Sequence, residues 1–408
     1  MTATSSRPRD IVIVGASLAG VRAAETLRAE GFTGRLTLVG NERLTPYDRP
    51  PLSKEFLTAE HDPPATRLPV SDGLRARWLL GRTAVALDLR ARTVAFSDGT
   101  RLPYDGLVIA TGATARRSAG PPAPSRGVFT LRGHDDATRL RGALAQGRSL
   151  LVVGAGFLGG EIAAAGRARG LDVTLVETGA APLERVVGPE VGAFVAMLHR
   201  EAGIDLRTDT AVTEFRTAAD GGLSGARLTD GTDVTADAAV LALGALPATD
   251  WLSDSGLRTD GGVHCDTRLR ALALDGTPVP DVVVAGDVAR APQPLADGAA
   301  LALGHWTNAV DQAVTAARTL LRGAGSPAFD EVPSFWSDLH GVRIRSVGLP
   351  AVADTVEIHE IDSSTRRLEA SYHRAGRLVG ALTIGRAARL AAYHRSLAEA
   401  SRAHRSAA

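Results

Sequence analysis

Cysteine is almost absent. Cys265 is the only one in 408 residues. No disulfide can form within the chain, and a redox cysteine pair, a Cys-based zinc site and a Cys-held iron–sulfur cluster are excluded. Lysine is nearly missing too: of 46 Lys and Arg residues, only Lys54 is a lysine. The 46 basic and 45 acidic residues leave a net charge of +1, which argues against a dedicated nucleic-acid binder. No apolar run approaches the ~18–20 residues that span a bilayer; Leu150-Leu151-Val152-Val153 is typical of the longest. Met1 to Arg9 is polar and lacks a signal-peptide core, so a cytoplasmic chain with no membrane partner is expected. The ten histidines show no metal-ligand spacing such as HExxH, and no metal is expected.

What is present is ordinary globular chemistry, 44% apolar and 22% charged. At ~100–200 residues per domain the length implies two to four domains. Asp10 to Val14 is a short β-branched run. Gly15-Ala16-Ser17-Leu18-Ala19-Gly20 follows, then an Ala/Leu/Arg/Glu-rich stretch, Val21 to Glu30. This is strand, glycine turn, helix. A second strand, Arg35 to Val39, ends near Glu42, an acid 22 residues after Gly20. The same grammar returns at Ser149 to Val153, Gly154-Ala155-Gly156-Phe157-Leu158-Gly159, Gly160 to Arg169 and Asp172 to Val176. It closes on Glu177, 18 residues after Gly159. One GxGxxG is a weak signal; two complete strand–turn–helix–strand–acid units are a strong one.

A dinucleotide pyrophosphate carries two negative charges, and a helix N-terminus offers unpaired N–H groups and a positive dipole end. Glycine is needed where the backbone turns tightly, approaches phosphate or lets helix touch strand. Gly154, Gly156 and Gly159 meet these needs, whereas Ser17 holds the middle position of the first unit. Glu42 and Glu177 stand where an acid receives a ribose hydroxyl, and a carboxylate at Glu177 repels the 2′-phosphate of NADP, favouring NADH. Cys265, in Val263-His264-Cys265, reads as a buried small hydrophobe.

Further motifs are Tyr47-Asp48-Arg49-Pro50-Pro51-Leu52-Ser53-Lys54, Tyr104 to Gly112, Ala285-Gly286-Asp287, His305-Trp306-Thr307-Asn308-Ala309 and Phe335-Trp336-Ser337-Asp338. With Gly154 to Glu161 these resemble the FAD-dependent, NADH-using ferredoxin reductases of bacterial oxygenase systems, over nearly the whole chain. The resemblance implies an α/β chain of the glutathione reductase fold superfamily. It would have two Rossmann-like dinucleotide-binding domains, for FAD and NAD, and a C-terminal α+β domain. The expected division is FAD domain 1–115 and 240–325, NAD domain 116–239, and C-terminal domain 326–408, with a linker at Ser118 to Ser125.

By that resemblance Gly15, Ser17, Ala19 and Gly20 line the FAD pyrophosphate and Glu42 takes the adenosine ribose. Arg49, Lys54, Ala110, Thr111, Gly112 and Arg132 contact FAD, and Val85 gives a backbone contact near the adenine. Asp287 accepts from the ribityl chain and Trp306 lies near the isoalloxazine. NADH falls to Gly156, Leu158, Gly159, Glu161, Glu177 and Gly244. Lys54 and Glu161 are the implied catalytic pair, meeting where flavin and nicotinamide meet. The implied function is electron transfer from NADH through FAD to a small iron–sulfur ferredoxin serving a haem-thiolate monooxygenase or a Rieske dioxygenase. The implied oligomeric state is a monomer or weak homodimer. Two alternatives stand beside it: a pathway-specific flavoenzyme acting on a small molecule, and a binding protein gated by NADH and FAD. Ala181, Gly304 and Leu339-His340 depart from the family pattern, and the last two motifs are expected to face the flavin or the partner.

Overall fold

The computed structural model describes residues 8–60, 67–117, 122–124 and 126–407. Both dinucleotide units form as their sequences dictate. In the first, Asp10–Val14 is buried from Ile11 to Val14 and pairs in parallel with Arg35–Gly40 and Gly106–Ile109. A parallel strand covered on both faces reads as a continuous apolar run. Helix α1 (Leu18–Ala29) follows the turn. Six strands make this sheet, in the order 270–272, 278–284, 106–109, 10–14, 35–40 and 77–80.

The second unit has five parallel strands, in the order 205–207, 172–176, 149–153, 238–241 and 128–129. Helix α2 (Phe157–Ala168) follows its glycine turn, and α3 (Pro189–Glu201) follows the acid. Successive residues of a strand face opposite sides, so the central strand serves two cores. Leu150 and Val152 pack with Ile162 and Ala163 of α2. Leu151 packs with Phe215, Ala226 and Leu228 from a three-stranded antiparallel sheet on the other side.

The chain leaves the first domain along Ala113–Ala115 and returns along Ala245–Pro247, and these two strands pair antiparallel. The strand Ala238–Leu241 is a full member of the second sheet, so the return lies beyond residue 244 and not at the expected 239/240 boundary. The expected linker at Ser118 to Ser125 falls mostly outside the described residues. Helix α4 (Trp306–Arg322) then packs beside α1 through a row of small residues, Ala309, Ala313, Ala316 and Ala317. Residues 326–329 still belong to the first domain's edge, because the Ser326 carbonyl accepts from Arg268 and Phe329 is buried in that core and donates its N–H to the Thr267 carbonyl, whereas Val332 packs with the C-terminal sheet.

The C-terminal domain is an antiparallel sheet in the order 334–339, 342–348, 377–384, 367–374 and 355–362. Helix α5 (Leu390–Ala407) is held on it by Leu397. The first hairpin turns at His340 and Gly341, both at positive φ (51° and 78°), as a two-residue turn that follows sheet twist requires. Its Leu339 packs with Val191, Phe194 and Leu198 of α3, joining the C-terminal sheet to the second domain.

Candidate functional site

The glycine turns show which glycines are structural. A Cβ on Gly20 would lie 1.8 Å from the Gly15 carbonyl oxygen, and one on Gly159 would lie 1.9 Å from that of Gly154. These positions let the helix sit on its own strand. The middle positions differ. Ser17 holds φ −102°, open to any residue, and Gly156 has φ −73° with nothing within 4 Å of a built Cβ. Neither backbone nor packing requires glycine at Gly156, which lines a cavity. Neither α1 nor α2 has a capping side chain or an acid in its first turn. Their N–H groups and positive dipole ends stay available to an anion.

The first cavity opens over the α1 turn and extends to the C-terminal domain. Gly15, Ser17, Ala19, Glu42, Arg49, Lys54, Ala110, Thr111, Gly112, Arg132, Leu158, Glu161, Asp287 and Trp306 all line it. At one end the Glu42 carboxylate accepts from the Tyr47 hydroxyl and pairs with Arg49. Arg49 also donates to the Arg132 carbonyl at 2.7 Å, and burial pushes the Tyr47 phenol well above its usual range. Arg132 in turn pairs with Asp287 at 2.5 Å. The Ala285-Gly286-Asp287 turn is pinned between α1 and α4, where a Cβ on Gly286 would press on Ala19, and its Gly286 N–H donates to Gln312. At the far end the Trp306 indole N–H donates to Asp48 at 2.8 Å, and the ring packs edge-on to Trp336. The buried ring nitrogen Nδ1 of His305, in the same wall, has no partner, and burial lowers this imidazole to about 4.

Lys54 and Glu161 meet at 2.9 Å, although 107 positions of sequence separate them. Glu161, only 7% exposed, also accepts from the Ser53 hydroxyl at 2.5 Å and the Ser337 hydroxyl at 2.6 Å. A second cavity opens over the α2 turn, lined by Gly156, Glu177, Ala181, Arg185 and Gly244. Glu177 accepts from the N–H groups of Ala155 at 2.8 Å and Gly179 at 2.9 Å. Phe157 lines both cavities, so they adjoin at the start of α2. Uncapped helix N-termini, an unobstructed Gly156 and an orphan polar nitrogen fit two dinucleotides, one over each glycine turn.

Comparison with known proteins agrees. The pyridine nucleotide-disulphide oxidoreductase signature covers residues 9–313, and a reductase C-terminal signature covers 334–408. The chain is 38% identical to rhodocoxin reductase of Rhodococcus erythropolis, over 85% of this chain and 79% of that one. It is 34% identical to the ferredoxin–NAD(+) reductase subunit of the Pseudomonas putida benzene 1,2-dioxygenase system, over 83% and 80%. Its fold superposes on the crystal structure of a covalent putidaredoxin reductase–putidaredoxin complex with a TM-score of 0.88 and 31% identity, covering 96% of this chain and 93% of that one.

The chain belongs to the FAD-dependent, NADH-using ferredoxin reductases.

In this ferredoxin reductase the sequence-expected residues do not all gather. Val85 is 49% exposed and does not line the first cavity. Gly20 and Gly159 line neither cavity; their places are against Gly15 and Gly154. Leu339 and His340 do not face the cavity either: Leu339 is buried against Gly160 of α2 and His340 bonds His199 of α3 at 2.9 Å. Gly304 does line the cavity. Cys265 is buried in the first domain, and burial pushes its thiol up, out of reach of redox work. The sequence pattern does not single out Ser53, Ser337, Tyr47, His305, Phe157 or Arg185 as site residues. Serines carry no spacing signal. Phe157 stands in plain view within the second glycine turn, and Arg185 lies shortly beyond Ala181, where the chain departs from the family pattern.

Proposed function

We propose that the protein passes electrons from NADH, through FAD in the first cavity, to a small iron–sulfur ferredoxin that serves an oxygenase. The observation that carries this reading is the Lys54–Glu161 pair in the wall of the first cavity, one helical turn from Phe157, which lines both cavities, with no thiol beside it. A disulfide relay is thereby unavailable, so electrons leave through the flavin edge itself. Bound FAD supplies the chemistry, as a hydride acceptor able to give up single electrons. The chain's own residues position and stabilise. Lys54 holds a cation where reduced flavin concentrates negative charge, and Glu161 keeps that cation in place and offers an acceptor to the nicotinamide carboxamide. Glu177 takes the ribose hydroxyls and rejects a 2′-phosphate. The Arg132–Asp287 pair and the Glu42–Arg49–Tyr47 group fix the long axis of the FAD cavity. Relatives are named for dioxygenase systems and for rhodocoxin, and one is captured bound to putidaredoxin. These names support a ferredoxin as the acceptor here.

Anaerobic stopped-flow mixing with NADH, followed by a panel of oxidised ferredoxins, tests the reading. Rapid bleaching of the flavin followed by rapid ferredoxin reduction is expected. Rapid bleaching with every ferredoxin left oxidised would overturn the ferredoxin assignment.

A further inference from the structure

Glu161 stands at the meeting of three domains. Its helix belongs to the second domain, Ser53 and Lys54 to the first, and Ser337 to the first strand of the C-terminal sheet. Its two oxygens are not equivalent. Oε2 accepts from Ser53 Oγ and is ion-paired with the Lys54 ammonium at 2.9 Å, whereas Oε1 accepts from Ser337 Oγ. A carboxylate offers about four acceptor positions. Oε2 is engaged by both a hydroxyl and an ammonium, and Oε1 by the Ser337 hydroxyl alone, so Oε1 keeps an open position. Ser337 is 0% exposed, while Phe335 and Trp336 of the same strand line the first cavity. Its hydroxyl thus reaches Glu161 from behind the cavity wall.

We propose that Ser337 is a positioning residue: by binding Oε1 it fixes the plane of the Glu161 carboxylate, so that the remaining acceptor position on that oxygen takes the nicotinamide carboxamide N–H. This rests on the function proposed above. Its consequence is that the C-terminal domain takes part in placing the nicotinamide without touching it. A merely structural serine, satisfying a buried carboxylate, would affect stability or the binding of every dinucleotide fragment alike. A positioning serine acts only on ligands that carry the nicotinamide end.

The test compares two ligands on FAD-loaded protein. One is tetrahydro-NAD, whose ring cannot give up hydride; the other is ADP-ribose, which lacks the ring. Titration calorimetry reads both dissociation constants. In Ser337→Ala the expected result is about tenfold weaker binding of tetrahydro-NAD with ADP-ribose changed less than about twofold. Ser337→Cys, which keeps the size and a weak donor, falls between. Ser53→Ala, which removes a donor from Oε2 alone, moves the ratio less than Ser337→Ala. An unchanged ratio in Ser337→Ala, or equal loss of both ligands, overturns the proposal while leaving the proposed function standing. Wild-type protein that binds neither ligand overturns both.

Discussion

Lys54 and Glu161 set the sharpest expectation at the level of single residues. Both are mostly buried, with side chains 16% and 8% exposed. Removing one partner of a buried pair strands the other, at a cost of ~3–5 kcal/mol when burial is complete. Lys54 retains some solvent, so the cost here is at the low end. Lys54→Ala should therefore keep the fold and its FAD while flavin reduction by NADH slows at least ~10-fold, about 1.4 kcal/mol in the barrier. Wild-type stopped-flow rates in that variant would refute the role. Glu177→Ala removes the repulsion of a 2′-phosphate and unties the Ala155 N–H. The kcat/KM preference for NADH over NADPH should fall by ~10-fold, or about 1.4 kcal/mol; an unchanged ratio would sink that assignment. Lys54 is legible in the sequence because it is the sole lysine of an arginine-biased chain and lies inside a motif. Ser53 and Ser337 are not, since their meaning is a meeting of loops and strands far apart along the chain.

Secondary elements divide in the same way between what pattern reveals and what it hides. The two strand–glycine–helix units are legible because a fully buried parallel strand, a phosphate turn and an amphipathic helix each leave a local mark. At the C-terminal hairpin pattern misleads. Leu339-His340 follows a motif that faces the cavity, but side chains alternate along a strand and the turn carries them away to α3. Helix α5 offers a test at this scale. Its dock is Glu369, 1% exposed, which takes Arg389 at 3.0 Å and the Tyr393 hydroxyl at 2.9 Å. Burial pushes the Tyr393 phenol up to about 12, so it stays a donor at any ordinary pH. Glu369→Ala removes the oxygen that accepts from both and leaves a small void beneath the helix. The expected loss is ~1–3 kcal/mol, read by hydrogen exchange as faster exchange across 390–407 with the dinucleotide domains unchanged. Equal exchange in variant and wild type would show that Leu397 and its apolar neighbours hold the helix alone.

Across the whole molecule, the active site depends on how the three domains seat on one another, and the joint between the second and third contains a buried histidine pair. His199, 1% exposed, and His340 meet at 2.9 Å with their rings perpendicular. Gly160 of α2, one residue before Glu161, packs against His199. Arg366, in a turn of the C-terminal domain, pairs with Glu201 of α3 at 3.2 Å nearby. Burial, with His340 adjoining, lowers His199 to about 3; burial, with Arg366 near, lowers His340 to about 4. At neutral pH both rings are uncharged, and one donates to the other. In the unfolded chain each histidine titrates near ~6.5. Above that pH neither state binds the extra proton, and the pair's contribution is complete. Below it the unfolded chain takes up protons that the native joint refuses, so stability falls as pH falls, by up to ~1.4 kcal/mol per pH unit for each ring, until the folded values near 3 and 4 are reached. His340→Gln keeps a partner for His199 but removes one titrating ring. Guanidinium midpoints of FAD-loaded protein at pH 7 and pH 5 should therefore drop less far in this variant than in wild type, the difference being one ring's share. His305 is also held low by burial, but it is common to both proteins and cancels in the comparison. An equal drop would mean that the joint opens and hydrates before the domains unfold. Acid would then act on the seating of Glu161 first and on the fold second.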